Sequence, residues 1–169
     1  MTIEQAIKTG IEYELLVLKV YSAAAKKFRD PVARRVLGVL ADEEDRHIQY
    51  LESRLDEWQR TGKVTAERLE TAIPSKKAID ASVKKLSKKM AEQDFSVELE
   101  MLKKALALEI EATSFFKQMV GQLEAEEQKL FARFVEIEQG HEAIVQAEMD
   151  AVSGLGFWFD FAEFKLEGA

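Results

Sequence analysis

The two histidines of this chain, His47 and His141, each have a glutamate three residues earlier, Glu44 and Glu138. Residues three apart on a helix share a face, so each pair turns one carboxylate and one imidazole toward the same point. Both pairs interrupt stripes that are otherwise apolar at helical spacing. Val36, Leu40, Leu51 and Leu55 flank the first, and Phe131, Phe134, Val145, Met149 and Val152 flank the second. A carboxylate and an imidazole directed into a core are costly unless they are paired or bound to metal. Metal ligation is the chemistry this spacing suits. The competing account is a purely structural bundle whose buried Glu and His side chains pair with each other.

Two further stripes each carry one acid. Ile7, Gly10, Val17, Tyr21, Ala25 and Phe28 surround Glu14, and Leu102, Leu106, Ala112, Phe116 and Val120 surround Glu109. The halves of the chain therefore repeat. Glu14 precedes Glu44 by about the interval that separates Glu109 from Glu138, and each leading Glu is followed seven residues later by an aromatic, Tyr21 or Phe116. Two hairpins, each giving Glu plus Glu-x-x-His, supply four carboxylates and two imidazoles: Glu14, Glu44, His47, Glu109, Glu138 and His141. Oxygen and imidazole donors without thiolate suit a pair of iron ions, with manganese or zinc as substitutes, better than copper(I) or a structural zinc. Four carboxylates are neutralised by two divalent ions, whereas one ion would leave uncompensated charge in low dielectric.

Neighbouring acids compete for these roles. Glu12, Glu43, Glu111, Glu136 and Glu142 point in other directions around their helices and are expected to be solvated. Glu43 is the hardest to exclude, because it lies four residues before His47, but the second half has Ile137 at the equivalent place. Tyr21, two turns beyond Glu14, either donates its hydroxyl to a ligating carboxylate of the opposite hairpin or is a core tyrosine with a wet tip.

Helices must position these groups. Two prolines, eight glycines and abundant Ala, Leu, Glu and Lys predict an all-α chain. At 169 residues a single domain with its own core is expected, covering 1–169, with a bundle over about 3–152. Asp30-Pro31 sets the end of the first helix near Phe28 and the start of the second at Pro31, and Thr61-Gly62 closes the second. From about 62 to 95 the chain must cross over. Within the crossover, Ile79, Val83, Leu86 and Met90 recur at helical spacing among Lys76, Lys77, Lys84, Lys85, Lys88 and Lys89, which predicts a short amphipathic helix with a solvated basic side. The tail over 153–169 contains Phe157, Trp158, Phe159, Phe161 and Phe164, an aromatic density suited to capping the bundle end or to a subunit interface.

With those residues in view, the chain resembles the rubrerythrin branch of the ferritin-like superfamily. The resemblance rests on Ile11-Glu12-Tyr13-Glu14 through Tyr21, Glu43-Glu44-Asp45-Arg46-His47, Leu108-Glu109-Ile110-Glu111 through Phe116, and Glu136-Ile137-Glu138-Gln139-Gly140-His141, and it spans roughly residues 3 to 152. It implies a ferritin-like four-helix bundle holding a di-iron centre on those six ligands. It also implies reduction of hydrogen peroxide or dioxygen, with electrons from a separate donor protein, and a homodimer. Two departures stand out. Rubrerythrins proper carry a rubredoxin domain with four cysteines, and this chain has none. The well-known rubrerythrin site also has an extra glutamate three residues after the third-helix ligand, where this chain has Ala112.

The expected function is thus a non-haem di-iron oxidoreductase. Oxidation of ferrous iron as substrate, or metal binding without turnover, are the alternatives. A formal charge of −7 argues against a general nucleic-acid binder. No apolar run is long enough for a membrane span, and the N-terminus lacks the basic start and apolar stretch of a signal peptide, so a cytoplasmic protein is expected.

Overall fold

A computed structural model describes residues 1–83 and 95–154. Among the described residues five helices form in the order α1 (Ile3–Lys27), α2 (Pro31–Thr61), α3 (Lys76–Val83), α4 (Ser96–Gln122) and α5 (Ala125–Val152). Their boundaries have local causes. Thr2 and Gln5 make a reciprocal capping box at the start of α1, with the Gln5 N–H donating to Thr2 Oγ1 at 3.2 Å and the Thr2 N–H to Gln5 Oε1 at 3.0 Å. Asp30 accepts from the backbone of Val32 and Ala33, with Pro31 in the first turn where no N–H is needed. Gly62 ends α2 in the left-handed region at φ 68°.

The four long helices are two hairpins. α1 packs on α2, α4 packs on α5, and α1 and α4 join the hairpins. α3 lies against α5 in the crossover, where Ile79 is fully buried. The part of the crossover helix expected beyond Val83, and the aromatic tail from Phe157, lie outside the described residues. Among the described residues no helix is long and apolar enough to cross a membrane.

Apolar side chains form two clusters. One gathers Tyr21, Phe28, Leu37, Leu40, Leu102 and Ile144, and the other gathers Ile7, Leu51, Phe115, Phe116, Phe131 and Phe134. On every long helix the candidate ligands fall between these clusters: Glu14 between Ile7 and Val17, Glu44 and His47 between Leu40 and Leu51, Glu109 between Ala105 and Ala112, and Glu138 and His141 between Ile137 and Ile144. A polar layer therefore cuts the core at mid-height.

The crossover is strapped over this layer. Tyr50 donates to the Glu67 carbonyl at 2.7 Å, Arg54 to that of Thr65 at 3.0 Å, and Arg133 of α5 to that of Leu69 at 3.0 Å. At Gly140 the crossover comes close to α5, since a Cβ there would sit 3.1 Å from both Ile73 Cγ2 and the Pro74 carbonyl oxygen. Alanine at 140 gains about 1 kcal/mol of helix propensity, which offsets much of that crowding. Valine has no such offset and is expected to lower stability by about 1–3 kcal/mol in denaturant unfolding. A Gly140→Val protein as stable as the parent would show that the strap does not bear on α5.

Candidate metal centre

All six residues that the spacing singles out meet in the polar layer. Glu14, Glu44, His47, Glu109, Glu138 and His141 are each at most 1 % exposed. Both imidazoles turn Nδ1 inward. His47 Nδ1 lies 3.2 Å from Glu14, 3.1 Å from Glu44 Oε2 and 3.3 Å from Glu138 Oε1. His141 Nδ1 lies 2.8 Å from Glu44 Oε1, 3.1 Å from Glu138 Oε2 and 3.5 Å from Glu109. The two rings are nearly parallel, with centroids 5.4 Å apart.

One oxygen of Glu44 and one of Glu138 thus face each histidine, while Glu14 and Glu109 face only their own. Spacing alone left open which acids stand between the histidines; the geometry places Glu44 and Glu138 there. Two overlapping sets of donors result, Glu14, Glu44, His47 and Glu138, and Glu44, Glu109, Glu138 and His141, each with ligand-type atoms within 4.8 Å of one another.

Charge in this layer is balanced by protons. Burial would raise Glu44, but His141 and His47 override it and hold its carboxyl well below the usual range, and Glu138 is lowered in the same way. Burial and the charges of Glu138 and Glu44 push Glu14 well above the carboxylate range. Burial and the Glu44 charge push Glu109 up to about 8. Burial alone would lower the imidazoles, yet Glu44 and Glu138 hold both well above the usual histidine value. Without metal, then, Glu44 and Glu138 favour the charged form beside two imidazoles that favour theirs, while Glu14 and Glu109 favour the protonated form.

The donor chemistry fits divalent metal. Oxygen atoms of Glu14, Glu44, Glu109 and Glu138 and the Nδ1 of His141 are buried without hydrogen-bond partners. Each is an acceptor once deprotonated, and a pair of cations would satisfy all of them.

The hydroxyl of Tyr21 is buried and donates to Glu109 Oε1, so this tyrosine of the first hairpin bonds a carboxylate of the second and has no wet tip. Burial and the Glu109 charge raise its own pKa well above the usual value. Phe116, in the matching place of the second half, packs among Phe115, Phe131 and Phe134 and offers Glu14 no hydroxyl. Glu12, Glu111 and Glu136 are exposed, as spacing predicts, and Glu142 is half-buried.

Glu43 corrects the expectation of solvation, because it is fully buried. The crossover, not α2, supplies the reason. Thr71 Oγ1 donates to its carboxylate at 2.6 Å and the Ala72 N–H at 3.1 Å, with Arg46 completing the set. These bonds outweigh burial and keep Glu43 below the usual carboxylate range. Glu98 and Glu148 are also buried acids that the apolar stripes did not single out, and Glu98 faces Arg29 at 3.5 Å.

No protein-family profile and no curated protein matches this chain. A solved structure of a hypothetical protein from Pyrococcus furiosus is similar in fold, with 18% sequence identity, a TM-score of 0.64, and coverage of 90% of this chain and 91% of that one.

Proposed function

We propose that this chain is a dinuclear non-haem iron oxidoreductase, of the kind its resemblance to the rubrerythrin branch implies, that reduces hydrogen peroxide or dioxygen with electrons from an external donor. The observation that carries this reading is the placement of Glu44 and Glu138, each with one oxygen toward each histidine. A structural bundle needs only neutral pairs, whereas two carboxylates shared between two imidazoles are an arrangement for two cations held close together.

In this reading Glu14 and His47 complete one position, Glu109 and His141 complete the other, and Glu44 and Glu138 span both. Bound iron would supply one-electron steps at two adjacent centres, matching the two electrons that cleavage of an O–O bond requires. The protein's own part is to fix the donors. Converting peroxide to two waters consumes two protons, and since Glu14 and Glu109 give up theirs on ligating metal, both must be supplied from outside the ligand set. Apolar clusters above and below the layer exclude bulk water. This sequence holds no cysteine for a thiolate-ligated redox centre, and in this reading the electrons come from a separate reduced carrier.

Metal analysis of protein loaded with ferrous iron tests the reading. Two irons per chain are expected, with the near-ultraviolet absorption of a coupled ferric pair after oxidation. In stopped flow, peroxide is expected to oxidise the diferrous protein faster than dioxygen does, with sustained turnover only when a reduced carrier is added. Faster oxidation by dioxygen with ferric ion leaving the protein would instead make iron the substrate. Absence of bound metal would return the layer to a structural role.

A further inference from the structure

The outward edges of the two imidazoles pose a separate question. With Nδ1 directed at the centre, a neutral ligating imidazole carries its proton on Nε2, which must then donate to something. His47 Nε2 and His141 Nε2 are both buried and neither has a hydrogen-bond partner. Behind them stands Glu43, also fully buried, whose Oε2 is 3.9 Å from His47 Nε2. Glu43, His47 and His141 each place one ligand-type atom within 4.8 Å of the others. At 3.9 Å the Glu43–His47 separation is too long for a direct hydrogen bond, and a single water set among the three grouped residues would bridge it. Such a water needs two to four polar partners, and one carboxylate with two imidazole N–H groups provides three.

We infer that Glu43 is a positioning residue for both histidines, accepting through one shared water from the Nε2–H of His47 and of His141 and so fixing the Nδ1 of each toward the metal positions. The inference rests on the dinuclear reading above and extends it outward by one layer. It accounts for the break in the internal repeat, since Ile137 occupies the place equivalent to Glu43. One acceptor serves two donors, and a second buried carboxylate would add uncompensated charge. It also gives the crossover a role, because the Ala72 N–H, together with Arg46, keeps the carboxylate in place even without the Thr71 hydroxyl.

Zinc(II), which is diamagnetic, permits the test. In the wild-type protein loaded with zinc, nitrogen-15 imidazole spectra are expected to show both histidines bound through Nδ1, with two Nε2–H protons protected from solvent exchange. Glu43→Gln is expected to shift both resonances, speed their exchange and weaken zinc binding about 10-fold in competition with a chelator. Thr71→Val, which loosens the crossover while leaving the carboxylate, is expected to change zinc affinity far less. The inference is overturned if Glu43→Gln binds zinc as tightly with unmoved resonances, or if Thr71→Val reproduces its losses, which would make the role merely structural. Should Glu43→Gln not fold, the wild-type spectrum decides, and unprotected Nε2–H protons overturn the inference. Failure of the wild type to bind two zinc ions would be failure of the dinuclear reading itself.

Discussion

Replacing Glu138 with alanine is expected to remove both bound metal ions while leaving the metal-free protein helical. Glu138 has one oxygen toward each histidine, so its loss opens both positions at once. Residues that merely orient ligands cost about 10–100-fold in affinity when lost, and a shared donor costs more than that, enough to leave little metal after dialysis. His141→Ala is expected to be nearly as severe, emptying its own position and weakening the other by leaving Glu44 and Glu138 without their imidazole partner. Helix content survives because the apolar clusters on both sides of the layer do not include either residue. Metal per chain by atomic emission, alongside far-ultraviolet circular dichroism, checks both halves of the expectation. Full metal content in either variant would remove these residues from the centre.

Stripping the metal is expected to give a protein that weakens as pH rises from about 5 to about 8, opposite to the usual gain of stability on leaving acid. The sign follows from the protons. Glu109 ionises near its ordinary value of 4.5 when unfolded but holds its proton to about 8 when folded, and Glu14 is raised in the same direction. A group raised in the folded state contributes stability below its unfolded value and loses it as pH climbs through the folded one. The histidines, raised well above 6.5, add to the same trend at the alkaline end. Glu44 and Glu138 are lowered from 4.5 and give the reverse effect only in more acidic solution. One such group over this interval is worth a few kcal/mol, or a fall in Tm of roughly 10 °C for a chain of this size. The net negative surface pushes the same way, so Glu109→Gln is the control, and its melting temperature should depend less steeply on pH. In the metal-loaded protein the ligands have already given up their protons, and stability should instead fall toward acid. A chelated protein whose Tm rises steadily from pH 5 to 8 would contradict the proton-balanced layer.

Much of this architecture was legible in the residues. The cap at Asp30-Pro31 and the stop at Gly62 place the ends of α2 where the structure has them, because capping is a local matter decided within a few residues. The six converging side chains were legible for a different reason: a charged residue inside an apolar stripe is visible against its background. Height along the bundle was not, so spacing could not say that Glu44 and Glu138, rather than Glu14 and Glu109, sit between the histidines. The burial of Glu43 is not legible in α2, because its partners, Thr71 and Ala72, lie in a segment of no helical periodicity nearly thirty residues away. Its place four residues before His47 was the one local sign. Glu148 is fully buried without any such sign, since Val145 and Met149 beside it complete the apolar stripe of α5 on their own.

Each of the two donor sets draws on both hairpins, three residues from one and one from the other. An ion seated there would act as a rivet through the seam between α1–α2 and α4–α5, held in place while the halves stay shut. Escape of metal would therefore require the molecule to gape along that seam, and the measured rate of metal release is a lower bound on the rate of that opening in the loaded state.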